Sequence, residues 1–157
     1  MAKELLILSP VKGKVKELKK VDDETFAQEM MGPGIAVTPE EETTEVLAPI
    51  KGKIATAFST GHAYGIFAKP AEILVHIGVD TVNLSGKGFE VKVSEAVKVK
   101  PGKVLCAVDM KEIKKAKSTD TIIIITNFKD LEAKGYSLEV VAKGNVEAGD
   151  VLFKLVK

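Results

Sequence analysis

Val, Ile and Thr recur along this chain in short runs broken by Gly and Pro, the pattern of an all-β protein built from many short strands. The clearest run is Glu72 to Val79. There Ile73, Val75, Ile77 and Val79 point one way, into a core, while Leu74, His76, Gly78 and Asp80 point the other. Ser59 to Phe67 reads as a partner strand, with Ala68, Lys69 and Pro70 as the turn between them. In a hairpin with that three-residue loop, Phe67 faces Ala71 and His62 faces His76. Opposed residues have Cβ atoms roughly 4.5–5.5 Å apart, so two imidazoles would converge; a slip of one residue would put them on opposite faces.

Elsewhere, Ile35 to Val37, Phe89 to Val93 and Val151 to Val156 read as strands, and Thr121 to Thr126 as a fully buried one. Helical turns are expected over Asp23 to Met31, capped by Asp23 and stopped at Gly32-Pro33-Gly34. A second runs from the capping box Asp109/Glu112 to Ala116, and a third is capped by Asn127 and ends at Lys134, with Gly135 beyond it.

Two internal echoes point to duplicated pieces. Ser9-Pro-Val-Lys-Gly-Lys-Val15 resembles Ala48-Pro-Ile-Lys-Gly-Lys-Ile54, 39 residues on, and Val99-Lys-Pro-Gly-Lys-Val-Leu105 resembles Val146-Glu-Ala-Gly-Asp-Val-Leu152, 47 residues on. Unequal spacings argue against a solenoid and for a sandwich with two related halves. The fold class expected is therefore an antiparallel β-sandwich with an internal pseudo-repeat and a few short helical turns.

The 157 residues suffice for one domain with a core that needs no staples. The single cysteine, Cys106, lies in an apolar run and allows no internal disulfide; it reads as core packing. No run approaches the roughly 18 apolar residues of a membrane span, and Leu5 to Leu8 is too short for a signal peptide, so the protein is read as cytoplasmic. A net charge of +1 argues against nucleic acid as a main partner. All 23 basic residues are Lys, so the chain has no bidentate Arg clamp for phosphate.

His62 and His76 are the only histidines. Facing each other, they suit three chemistries. With Asp80 they would supply the three ligands of a catalytic zinc, although no H-E-x-x-H motif is present. With Ser59 or Thr60 as nucleophile they could serve hydrolysis, but no G-x-S-x-G elbow accompanies them. As a phosphoryl carrier, one imidazole would attack phosphorus and the other would donate to the phosphate oxygens.

The residues Gly61-His62-Ala63-Tyr64 and Glu72-Ile-Leu-Val-His-Ile-Gly-Val-Asp-Thr-Val82 resemble the signature of the glucose-type IIA proteins of the bacterial phosphoenolpyruvate-dependent sugar phosphotransferase system. Phe26-Ala27, Gly34-Ile-Ala-Val37, Ala48-Pro49, Gly86-x-Gly-Phe89 and Lys115-Ala-Lys-Ser118 extend the similarity over nearly the whole chain, which would make residues 1–157 one domain of this type. The resemblance implies that His76 takes a phosphoryl group on Nε2 from the carrier protein HPr and passes it to a cysteine of the IIB domain of a sugar permease. His62 would stabilise the phosphate and Thr60 would orient His62. Phe26, Met31, Phe58 and Leu74 would form an apolar docking face, with Asp23 and Asp80 placed to meet a partner's arginine. No cofactor or metal is implied, and the protein would act as a monomer. Gly61 stands where the family often has a polar residue, which would loosen the loop before His62. The other readings kept open are a zinc-dependent hydrolase using His62, His76 and Asp80, and a regulatory binding module.

Overall fold

The computed structural model describes residues 4–157. Fourteen strands run in chain order: β1 (Glu4–Leu8), β2 (Gly13–Glu17), β3 (Gly34–Pro39), β4 (Glu45–Leu47), β5 (Gly52–Ala57), β6 (Ala63–Ala68), β7 (Ala71–Val79), β8 (Phe89–Val91), β9 (Lys98–Val99), β10 (Val104–Val108), β11 (Ser118–Ile125), β12 (Ser137–Val140), β13 (Asn145–Val146) and β14 (Val151–Val156). Three one- to two-turn helices punctuate them: α1 (Glu24–Ala27), α2 (Met110–Ile113) and α3 (Phe128–Ala133). Every strand pairing is antiparallel.

Eight strands form one sheet in the order β13-β2-β3-β11-β7-β6-β5-β9, and two three-stranded sheets, β1-β14-β12 and β4-β10-β8, complete the sandwich. The main core lies between them. Ile73, Val75, Ile77, Ile123 and Ile125 of the large sheet meet Ile7, Leu105, Phe153 and Leu155 of the small ones. Period-two alternation in β7 and β11 produces this face and leaves Leu74, Ile122 and Ile124 on the other side. There a smaller cluster forms with Leu18, Val21 and Phe26, carried by the short turn at Leu18–Lys20 and by α1.

The internal echoes are a pseudo-two-fold. The large sheet reads symmetrically outward from the β11–β7 seam, and the hydrogen bonds repeat with it. Leu8 N donates to Pro49 O at 2.8 Å and Leu47 N to Pro10 O at 2.9 Å; Ser9 N donates to Asp150 O and Ala48 N to Lys103 O, both at 2.7 Å. Gly13 sits opposite Val146 in one half, and Gly52 sits opposite Val99 in the other.

Asp23 caps α1 as expected, its carboxylate accepting from Thr25 N at 2.8 Å. Asp109 caps α2 through Lys111 N at 3.0 Å, but Glu112 turns to Lys115 instead of closing the box, and the helix stops at Ile113. Asn127 makes no side-chain cap. It accepts from Glu72 N at 2.9 Å and donates to Pro70 O at 3.0 Å, pinning the β6–β7 turn.

Candidate active site

The β6–β7 hairpin differs from the expected one by a single residue. Ala68 pairs with Ala71, so the loop is Lys69-Pro70 alone, with a cis bond, and Ala63 rather than His62 lies opposite His76. The histidines nevertheless meet, because His62 is not in a strand. Ser59 to His62 form a turn before β6, Gly61 takes a φ of +81°, and the imidazole swings over the end of β7. Ile77 N still donates to His62 O at 2.7 Å, which fixes the backbone at that point. The ring centroids are 5.3 Å apart at an interplanar angle of 78°, edge to face.

Gly61 does not loosen this loop. A Cβ there would lie 2.6 Å from Cβ of Phe89, so glycine is what lets the turn pack beneath the site.

His62 is buried and His76 half-buried. Nδ1 of His62 lies 2.8 Å from Thr60 Oγ1, and Nδ1 of His76 lies 2.8 Å from Gly78 O. A carbonyl can only accept, so Nδ1 of His76 carries the proton and Nε2 keeps its lone pair. Gly78 presents that carbonyl from a φ of +79°. The same kink breaks the alternation of β7: Ile77 lies in the main core, but Val79 joins the smaller cluster on the His76 side. Asp80 therefore does not continue the His76 face along the strand. It follows in a left-handed conformation, φ 60°, with Thr81 buried behind it and donating to Ile77 O at 2.6 Å.

Burial depresses both imidazoles below the usual histidine range. For His62 the neighbouring His76 adds to the effect; for His76 the Gly78 carbonyl and the charges of Asp23 and Asp80 oppose it. Two neutral rings at neutral pH result, one with a free Nε2.

Phe58 packs edge-on to His62, with centroids 5.1 Å apart. Phe26, expected on the open docking face, is buried in the smaller cluster and lies 5.0 Å from His76, so it supports the ring from below. Met31, Phe58 and Leu74 line one groove of about 340 Å³ beside the site. Phe67 lines it too and was missed; it is 43% exposed, and its alternation with buried Ile66 and Ala68 is the signal that marks it. Asp23 is half-buried and Asp80 exposed near His76. Among the described residues, no three His, Cys, Asp or Glu side chains are grouped so as to hold a metal ion, and His62, His76 and Asp80 form no such set. Cys106 is fully buried, and burial pushes its thiol up, away from thiolate chemistry.

The model of the family "phosphoenolpyruvate-dependent sugar phosphotransferase system, EIIA 1" matches residues 5–131. The chain belongs to this family. It is thus a phosphotransfer component of a sugar-uptake system, whose other components include a sugar permease. It is 43% identical over 152 residues to the glucose-specific EIIA component of Mycoplasma capricolum, covering 96% of this chain and 94% of that one. To the corresponding component of Bacillus cereus it is 44% identical, covering 94% and 90%. It is also 41% identical to a glucose-specific EIICBA component of Staphylococcus carnosus, where the match spans 92% of this chain but 21% of the longer protein. The solved structure of the glucose permease IIA from Mycoplasma capricolum superposes with a TM-score of 0.88 at 41% identity, over 98% of this chain and 96% of that one. As in that EIIA structure, the architecture is an antiparallel β-sandwich. No helix among the described residues is long and apolar enough to cross a membrane.

Proposed function

We propose that this EIIA protein carries a phosphoryl group on Nε2 of His76, taking it from phosphorylated HPr and giving it to a cysteine of the IIB domain of a sugar permease. The observation that carries the reading is the hydrogen bond from His76 Nδ1 to Gly78 O, which leaves Nε2 as the only nucleophilic nitrogen of that ring. In the first transfer the Nε2 lone pair forms the new P–N bond as the donor's P–N bond breaks. In the second, a cysteine thiolate forms a P–S bond and the pair returns to His76.

His62 assists from the side. When the Thr60 hydroxyl donates to Nδ1 of His62, the proton of that ring sits on Nε2, where it can donate to a phosphoryl oxygen. With the ring centroids 5.3 Å apart and edge to face, a phosphoryl group on His76 would lie beside the His62 ring. The chain has no arginine, so Asp23 and Asp80 are read as holding a partner's basic side chain over the phosphate. Met31, Phe58, Leu74 and Phe67 would form the apolar contact with either partner. Residues 1–157 would act as one cytoplasmic, monomeric domain. "Glucose-specific" relatives suggest a glucose-type permease as the acceptor.

The test is transfer of labelled phosphate from phospho-HPr. The wild-type protein takes label in an acid-labile, base-stable linkage, and His76→Ala takes none. Labelling of His76→Ala would overturn the assignment. His62→Ala accepts label and passes it on slowly; normal passage would remove His62 from the mechanism.

A further inference from the structure

We infer that the groove between β5, β6 and β9 is a binding site for a small organic anion carrying two or more phosphate groups. The groove encloses about 590 Å³, within the roughly 300–1,000 Å³ usual for small-molecule pockets. Lys51, Lys53, Lys69, Lys98 and Lys100 ring it, and among the described residues no acidic one lines it. Among the described residues, none of these five lysines lies in a salt bridge.

The pseudo-two-fold supplies an internal reference for how unusual this is. The position equivalent to Lys51 is Lys12, and there the lysine stands between two carboxylates, 4.0 Å from Glu40 and 3.7 Å from Glu147. Pairing of Gly13 with Val146 and of Gly52 with Val99 makes Lys100 the counterpart of Glu147. A Cβ on Gly13 would meet Thr38 O, and one on Gly52 would meet Phe67 O, which makes Lys69 the counterpart of Glu40. One half of the fold thus holds a Lys–Glu–Glu triad whose lysine is paired, and the other holds three lysines.

Repulsion is added across the strands. Lys53 lies opposite Lys98, where the other half has Lys14 opposite Asn145. Like charges directly opposed in a sheet destabilise it, and a bound polyanion removes that cost. Lysine is a point-charge phosphate binder, and several phosphates match several lysines. The floor is apolar, with Ile50 and Val99 buried and Phe67 part-exposed, which suits a ligand with an apolar or aromatic body rather than bare phosphate. A concave groove of this size fits a soluble ligand better than a flat lipid surface.

The experiment is calorimetric titration and thermal-shift measurement at low salt with three probes: ATP, inorganic phosphate, and vesicles of phosphatidylcholine and phosphatidylglycerol. ATP is expected to bind one-to-one, more tightly than phosphate, with amide shifts at Gly52 and Val99 and affinity falling as salt rises. Lys69→Glu with Lys100→Glu copies the charge pattern of Lys12, Glu40 and Glu147, which this fold already accommodates. It should weaken ATP binding by more than about tenfold while His76 phosphorylation persists. Lys98→Asn, which copies the residue opposite Lys14, is the milder variant and should weaken binding by a smaller factor. Unchanged ATP affinity in both variants, equal affinity for ATP and phosphate, or binding to vesicles alone would each overturn the inference.

Discussion

His76 donates from Nδ1 to the carbonyl of Gly78, two residues further along its own strand, at 2.8 Å. The ring is thereby locked by its own backbone, and the lock depends on the φ of +79° at Gly78. A Cβ at this position would lie 2.4 Å from Thr81 Cγ2 and 2.9 Å from Ser118 O. Gly78→Ala must therefore shift both the kink and the carbonyl. The expected cost is about 1–3 kcal/mol in denaturant unfolding. Nitrogen-15 spectra of the imidazole should show a mixed His76 tautomer, and an unmoved tautomer would detach the carbonyl from its orienting role.

Thr60 sets the second ring in the same way, through a side chain. Thr60→Val removes the hydroxyl at nearly constant volume and leaves His62 free to choose its tautomer. Transfer from phosphorylated His76 to the IIB cysteine should slow by about tenfold or more, and Thr60→Ser should restore it. Rapid-quench transfer kinetics measure both. Equal rates for Thr60→Val and the wild type would make the contact packing alone.

Acidification should act late. Burial lowers both imidazoles from the ordinary value of 6.5, so the unprotonated Nε2 survives to a lower pH than in an exposed histidine. The acceptance rate should therefore fall, on acidification, at a lower pH than an ordinary histidine would give. Stability follows the same sign. Below 6.5 the unfolded chain binds protons that the folded chain does not, so stability declines with falling pH until the folded histidines also protonate. His62→Gln with His76→Gln should flatten this part of the pH–stability curve, measured by urea unfolding.

Away from the site, Asp120 is 2% exposed and accepts from Lys16 Nζ at 2.7 Å and Thr38 Oγ1 at 2.6 Å, joining β11 to β2 and β3. Lys16→Ala leaves the carboxylate buried with the hydroxyl as its remaining side-chain partner. Lys16 is about one-third exposed, so the loss should lie at or below the low end for a broken buried pair, about 3 kcal/mol. Urea unfolding checks this, and phosphoryl acceptance by His76 should be unaffected.

Much of the fold was legible because alternation is a short-range signal. The inward set Ile73, Val75 and Ile77, the Asp23 cap and the two echoes are all present in the residues themselves. The hairpin register was not, because it hangs on one loop residue: Ala68 pairs with Ala71 instead of joining the turn. Convergence of the two histidines was expected from an in-strand pairing but arises from the turn that releases His62. Nor could spacing show that Gly78 inverts the strand before Asp80, that Phe26 lies under His76 instead of on the surface, or that Asn127 serves the hairpin rather than its helix. Each of these depends on contacts between residues distant in sequence or on a single unusual φ.

The place of His76 on the β7–β11 seam has a consequence for assembly. His76 lies opposite Ile122, and its pseudo-symmetric counterpart on β11 is Ile124, as Pro33 is the counterpart of His62. Only one of the two equivalent corners holds histidines, and it is built on the strand pair that joins the halves. Either half alone would carry an incomplete floor beneath the ring. If His76 carries the phosphoryl group as proposed, that competence would depend on both lobes having met across the β7–β11 seam.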